Sequence, residues 1–184
     1  PEQWYMVLDE GTRTEQVILS HWNEMGKYDA GRRTRLVIDE WGAWYRPGAT
    51  DLAPTFLLSQ VGTLRDAVHA AITFDIFNRH TGKIAMANIA QTVNCLHSLF
   101  WAIEDKFVRT PTYYAFELYR PHMEGRLVAA TIRAPELKIV RRNGESAPLA
   151  MVAGSASVRQ DRLTLTLTNA SLDAAASARI RLDG

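Results

Sequence analysis

Val17, Ile18, Trp22, Met25 and Tyr28 recur near i, i+4 and i+7, and that spacing predicts an amphipathic helix over residues 14–28. Asp29, Gly31 and the arginines after it end the pattern. Leu36-Val37-Ile38 is a short continuous apolar run with two β-branched residues, which suits a strand covered on both faces. A loop rich in Gly, Pro and Thr follows over 42–54. A helical period returns over 57–78, carried by Val61, Leu64, Val68, Ala71, Ile72 and Asp75. "KIAMANIAQ" (83–91) reads as a second apolar strand, ending in amides. Thr110 is placed as a helix N-cap with Pro111 in the first turn and Pro121 as the stop. The order helix, strand, helix, strand, helix implies parallel strands joined by crossover helices.

Beyond Gly125 the texture changes to short alternating runs separated by turn residues: "RLVAATIRAPELKIV", "APLAMVAGSASVRQ", "DRLTLTLTNAS" and "ASARIRLDG". Leu163, Leu165 and Leu167 alternate with Thr164, Thr166 and Thr168, the period of a half-buried antiparallel strand. The fold class expected is therefore α/β plus all-β. An α/β unit occupies residues 1–124 and an antiparallel β-sandwich residues 125–184.

Composition narrows the function classes. The 184 residues are 47% hydrophobic and 22% charged with a net charge of +1, an ordinary globular balance. No basic excess marks a nucleic-acid or membrane-surface binder. No apolar run approaches the roughly 18 residues of a membrane span. The first residues lack the basic and apolar regions of a secretory leader, and a cytoplasmic location is expected. Cys95, the single cysteine, lies in an apolar run and reads as a small buried hydrophobe.

The candidate chemistry lies where the two apolar strands end. Asp39-Glu40 closes the first, followed at once by Trp41, Trp44 and Tyr45; Asn88 and Gln91 close the second. Active sites of strand–helix barrels sit at the carboxyl ends of their strands. Tryptophan faces stack on the apolar faces of sugar rings, and a carboxylate there can be the nucleophile of a retaining glycosidase. A salt-bridged or helix-capping carboxylate pair is the alternative that the pattern leaves open.

The blocks "LVIDEWGAWY", "TLRDAVHAAITFDIFNRH", "MANIAQTVNCL" and "TPTYYAFELYRPH" together resemble consecutive blocks of the glycoside hydrolase family 51 α-L-arabinofuranosidases. The resemblance implies the C-terminal portion of a (β/α)8 TIM barrel followed by a β-sandwich. It implies that Glu40 is the catalytic nucleophile, that Trp44 lines the sugar subsite and that Gln91 bonds the sugar or the nucleophile. Asn88 and Trp41 take supporting substrate-binding roles, and Asp39 holds the strand end by hydrogen bonds. The implied partner is an arabinose-containing oligosaccharide or polysaccharide, and the intact enzyme is expected to be a homo-oligomer without cofactor. A related endo-glucanase and a non-catalytic sugar-binding remnant are the rival readings.

One departure stands out. A whole barrel takes about 250 residues, so the missing N-terminal barrel segment, in cis or in trans, should bring the acid/base. Asn23-Glu24 has a fitting dipeptide but lies within a predicted outer helix, so Glu24 reads as a solvated glutamate. His80 reads as a partner for a helix C-terminus. His21, His69, His97 and His122 show no metal-ligand spacing, and no metal is expected. Tyr113, Tyr114 and Tyr119 read as packing between the two units, and Phe100 and Trp101 as core or interface.

Overall fold

The computed structural model describes residues 2–46 and 58–183. Helix α1, Glu2–Thr12, was not anticipated. Trp4, Tyr5 and Leu8 share one face at i, i+1 and i+4, and that face packs into the core. Helix α2 spans Thr14–Met25, and the last three residues of the predicted helix form a turn.

Helix α3 spans Leu64–Arg79, later than the apolar period suggested. The Thr63 N–H donates to Asp66 Oδ2 at 2.6 Å, half of a capping box that sets the first turn. Val61 therefore lies before the helix, and Leu57 lies outside the described residues. Helix α4, Pro111–Tyr119, begins as expected on Thr110. Pro121 falls in the 3₁₀ turn Arg120–His122 that follows.

Strands β1 (Leu36–Trp41) and β2 (Ile84–Ile89) pair in parallel. Leu36, Ile38, Ile84, Ala87 and Ile89 face the helices and join the core. The opposite face is bare: Val37 is 52% exposed and Met86 55%. The expectation of a strand covered on both faces is thus corrected, because among the described residues the helix layer covers only one. A hairpin of β3 (Phe100–Ile103) and β4 (Lys106–Arg109), turning over Glu104-Asp105, was also unforeseen.

After the 3₁₀ turn the regular elements among the described residues are strands. β5 (Arg126–Val128), β8 (Val152–Arg159) and β9 (Arg162–Asn169) form one antiparallel sheet in the order β5-β8-β9. β6 (Glu136–Val140) and β7 (Ser146–Ala150) form a separate hairpin. The alternating run "ASARIRLDG" makes no strand within its described residues; Ile180 and Leu182 stay exposed, with no neighbouring strand to pair them.

The alternation in β9 is resolved in an unexpected sense. Thr166 and Thr168 face α3, whereas Leu163 and Leu167 are exposed. The reason is Asp75, fully buried in α3, which accepts hydrogen bonds from Ser155 Oγ at 2.8 Å and Thr166 Oγ1 at 3.2 Å. A buried carboxylate needs donors, and hydroxyls on the sheet supply them. Burial pushes the Asp75 carboxyl above its ordinary range.

One hydrophobic cluster joins Leu8 of α1, Ile18 of α2 and Ile72 and Ile76 of α3 to Ile139, Ala147 and Leu149 of the β6–β7 hairpin. Asp9, 3% exposed, is clasped by Arg141 through Nε at 2.8 Å and a terminal nitrogen at 3.2 Å. Of the three tyrosines expected between the units, Tyr119 packs there, its hydroxyl 3.1 Å from Thr168. Tyr113 instead lies against Phe100 of β3, and Tyr114 is exposed. Trp101 is buried, while Phe100 stacks on Phe107 across the hairpin.

Candidate active site

The end of β1 departs from simple alternation. Ile38 pairs with Ala87 and Trp41 with Ile89, so β1 advances three residues where β2 advances two. That extra residue is a β-bulge at Asp39-Glu40, and a bulge re-aims the side chains beyond it. With strict alternation Glu40 would follow Leu36 and Ile38 toward the helices. With the phase shifted, Trp41 takes the inward place and Asp39 and Glu40 both stay exposed. Among the described residues neither carboxylate has a hydrogen-bond or ion-pair partner, so the bonds expected of Asp39 are not made there.

Trp41 consequently parts from the other site residues. It is 7% exposed and packs edge-on against Phe74 and Phe77 and nearly parallel to Phe116. Sequence reasoning placed it with the substrate-binding groups; the bulge turns it into the helix layer, where it anchors the strand end. Asn88 is exposed on β2 and Gln91 just beyond it, past the cis peptide bond Ala90–Gln91. Trp44 is 56% exposed on the loop after β1. The adjacent carboxyl ends of β1 and β2 thus carry Glu40, Trp44, Asn88 and Gln91 as exposed groups.

Buried polar groups that sequence reasoning passed over hold these exposed ones. Gln60, 3% exposed, donates from Nε2 to the Ala43 carbonyl at 2.7 Å and accepts the Tyr45 N–H at 3.1 Å. This side chain copies a strand partner for the segment bearing Trp44. The Tyr45 hydroxyl donates to Asp66, which is fully buried and pushed up to about 6 by that burial. His97, also fully buried, accepts the Ala43 N–H at Nδ1, 2.9 Å away. Its Nε2 therefore carries the proton and donates to the Asp66 carbonyl at 3.1 Å. Burial pushes His97 down to about 4, so the ring is neutral at neutral pH.

The backbone completes the lacing. The Ala90 N–H donates to the Trp41 carbonyl at 2.9 Å, the His97 N–H to Ala90 at 2.7 Å, and the Leu96 N–H to Leu58 at 2.8 Å. Gly42, at φ +142°, permits the close approach: a Cβ there would lie 2.7 Å from His97 Cβ. The one signal in the sequence was a histidine inside the apolar run "NCLHSLF".

The remaining candidates sit elsewhere. Glu24 is exposed on α2 and paired with Lys27 at 2.6 Å. His80 caps the end of α3 and donates from Nε2 to Glu15 at 2.7 Å. Cys95 is half-buried rather than fully enclosed. Among the described residues no group of three or more potential ligands could hold a metal ion, and no helix is long and apolar enough to cross a membrane.

The structure is thus a strand–helix layer with an exposed carboxylate and tryptophan at the strand ends, joined to antiparallel sheets. The sequence profile of the alpha-L-arabinofuranosidase C-terminal domain matches residues 39–183, and the chain belongs to that family. It is 32% identical, over 98% of its length, to an intracellular exo-alpha-L-arabinofuranosidase of Bacteroides ovatus, covering 34% of that protein. The GH51 arabinofuranosidase structure from Xanthomonas axonopodis pv. citri superposes with a TM-score of 0.82 at 35% identity, over 93% of this chain and 34% of that one. The alpha-L-arabinofuranosidase of Thermotoga maritima, in an arabinose complex, shares the fold with a TM-score of 0.74 at 21% identity, over 92% and 36% of the two chains. The chain thus spans about a third of the length of the relatives it matches.

Proposed function

We propose that this chain is the C-terminal segment of a retaining α-L-arabinofuranosidase that releases terminal arabinofuranosyl units from arabinose-containing saccharides. Residues 1–124 form the closing part of a (β/α)8 barrel, and residues 125–184 a C-terminal β-sandwich domain. The observation that carries the reading is the bulge that exposes Glu40 at the end of β1, beside Asn88 and Gln91, in a chain of this family.

A Glu40 carboxylate oxygen attacks the anomeric carbon as the glycosidic C–O bond breaks, leaving a glycosyl ester. The leaving oxygen takes a proton from an acid that this chain does not supply. Water then adds at the anomeric carbon as the ester C–O bond breaks, giving its proton back to the conjugate base of that acid, which returns Glu40 as a carboxylate and frees arabinose. Trp44 offers its face to the sugar, and Gln91 and Asn88 offer amides to its hydroxyls. The acid/base comes from the remaining barrel segment, in cis or in trans; Glu24, on an outer helix, is not that group. The location is cytoplasmic, as the name of the Bacteroides relative suggests for that protein, and the intact enzyme is a homo-oligomer.

Release of a chromogenic phenol from an aryl α-L-arabinofuranoside tests this. The full-length enzyme should turn over and lose about 10³-fold or more in kcat on Glu40→Gln, with Glu24→Gln unchanged. The 184-residue chain alone should be inactive. Full activity in Glu40→Gln would remove the nucleophile assignment. Turnover by the chain alone that vanishes in Glu24→Gln would reverse the roles.

A further inference from the structure

We infer that His97 is a positioning residue for hydrolysis, holding the strand-end loops in register through its two ring nitrogens; the inference rests on the function proposed above. Three segments meet at this ring. Nδ1 holds the Ala43 N–H, between Glu40 and Trp44; Nε2 holds the Asp66 carbonyl in the first turn of α3; and the backbone N–H of His97 holds Ala90, next to Gln91. His97 is fully buried, so it acts through these groups and not on the substrate.

One side chain must accept a hydrogen bond on one edge and donate one on the other, and a neutral histidine does both. The Gly42 backbone lies close against the ring, where a Cβ would be 2.7 Å from His97 Cβ. Gln60 holds the Ala43 carbonyl from the other side, so the Ala43 peptide is gripped at both its N–H and its C=O. A displacement of about 1 Å in a reacting group can cost about 10²-fold in rate. Release of the Ala43 N–H would shift both the nucleophile's strand end and the Trp44 platform.

Two amides separate the nitrogens. His97→Asn places Oδ1 near the position of Nδ1 and keeps the acceptor for Ala43. His97→Gln places its amide nitrogen near Nε2 and keeps the donor to Asp66 while losing that acceptor. Both remove the ring, so a merely structural role predicts similar losses in the two.

The full-length enzyme is assayed for kcat and KM on an aryl arabinofuranoside at a temperature where each variant is folded, and amide exchange is read at Ala43. The expected result is a loss of about 10²-fold in kcat/KM for His97→Gln, mostly in kcat, with a fast-exchanging Ala43 amide. His97→Asn keeps most of its activity and a protected Ala43. Equal losses in the two variants, or wild-type rates in His97→Gln, overturn the inference. If the glutamine variant does not fold, loss of hydrolysis in a folded His97→Asn overturns it, and retained hydrolysis with a protected Ala43 supports it. The underlying functional reading fails separately, through a wild type that does not hydrolyse the glycoside or a Glu40→Gln that does.

Discussion

His97 also gives a pH signature. Its value falls from the usual 6.5 to about 4 through burial, with Asp66 and His69 as its titratable neighbours. The unfolded chain takes up this proton below 6.5, whereas the folded one resists it until about 4. Stability contributed by the neutral ring is therefore fully present above 6.5 and is lost as pH falls toward 4. Between pH 7.5 and pH 5 the loss from this one group is about 2 kcal/mol. Thermal midpoints of wild type and His97→Asn at the two pH values measure it, since the neighbours are common to both proteins. The gap should be narrower in the variant, and an equal gap would show that the ring is not held neutral. The position of Glu40, Trp44, Asn88 and Gln91 at or just past the ends of β1 and β2 was legible in the sequence, because each follows a short apolar run; their roles are proposals. Gln60 and His97 were not, because their meaning lies in contacts with Ala43 and Tyr45 across 15 to 54 residues.

Among elements, α3 carries the most varied set of contacts. Its N-terminus supports the strand-end loops through Asp66, and further along Asp75 bonds the β8–β9 sheet. Asp75→Leu would bury the Ser155 and Thr166 hydroxyls without their acceptor and is expected to cost about 3 kcal/mol. Asp75→Asn retains one acceptor oxygen and should lose less. Urea unfolding of the two variants checks the order; a leucine variant as stable as wild type would show that this network does not hold α3 to the sheet. The main helices and the parallel strand pair could be read from period and caps. The β3–β4 hairpin could not, because its strands are four residues each and their pattern was read as core or interface. The phase of β9 was hidden for another reason: threonine faces inward only because a distant aspartate needs its hydroxyl.

Taken whole, the molecule has helical and β parts that share one cluster of buried side chains, and the Asp9–Arg141 clasp crosses between them. Unfolding in guanidinium should therefore follow one transition, coincident by tryptophan fluorescence and far-ultraviolet circular dichroism. Arg141→Ala, which leaves Asp9 buried without its cation, should lower the midpoint while keeping the transition single. Two separated transitions would show residues 1–124 and 125–184 standing independently. The change of texture near Gly125 was plain in the sequence, but the clasp was not, since nothing local relates Asp9 to Arg141. The contacts of α1 reach further still. Trp4 Nε1 donates to the Ala170 carbonyl at 2.9 Å, and the Tyr5 hydroxyl accepts the Leu172 N–H at 3.1 Å, with the partners 166 and 167 positions apart in sequence. During synthesis at about 5–20 residues per second, α1 is translated roughly eight to thirty-three seconds before those partners. For that interval these two groups of α1 have no final partner, so the last contacts of this helix wait until the chain just beyond β9 has been made.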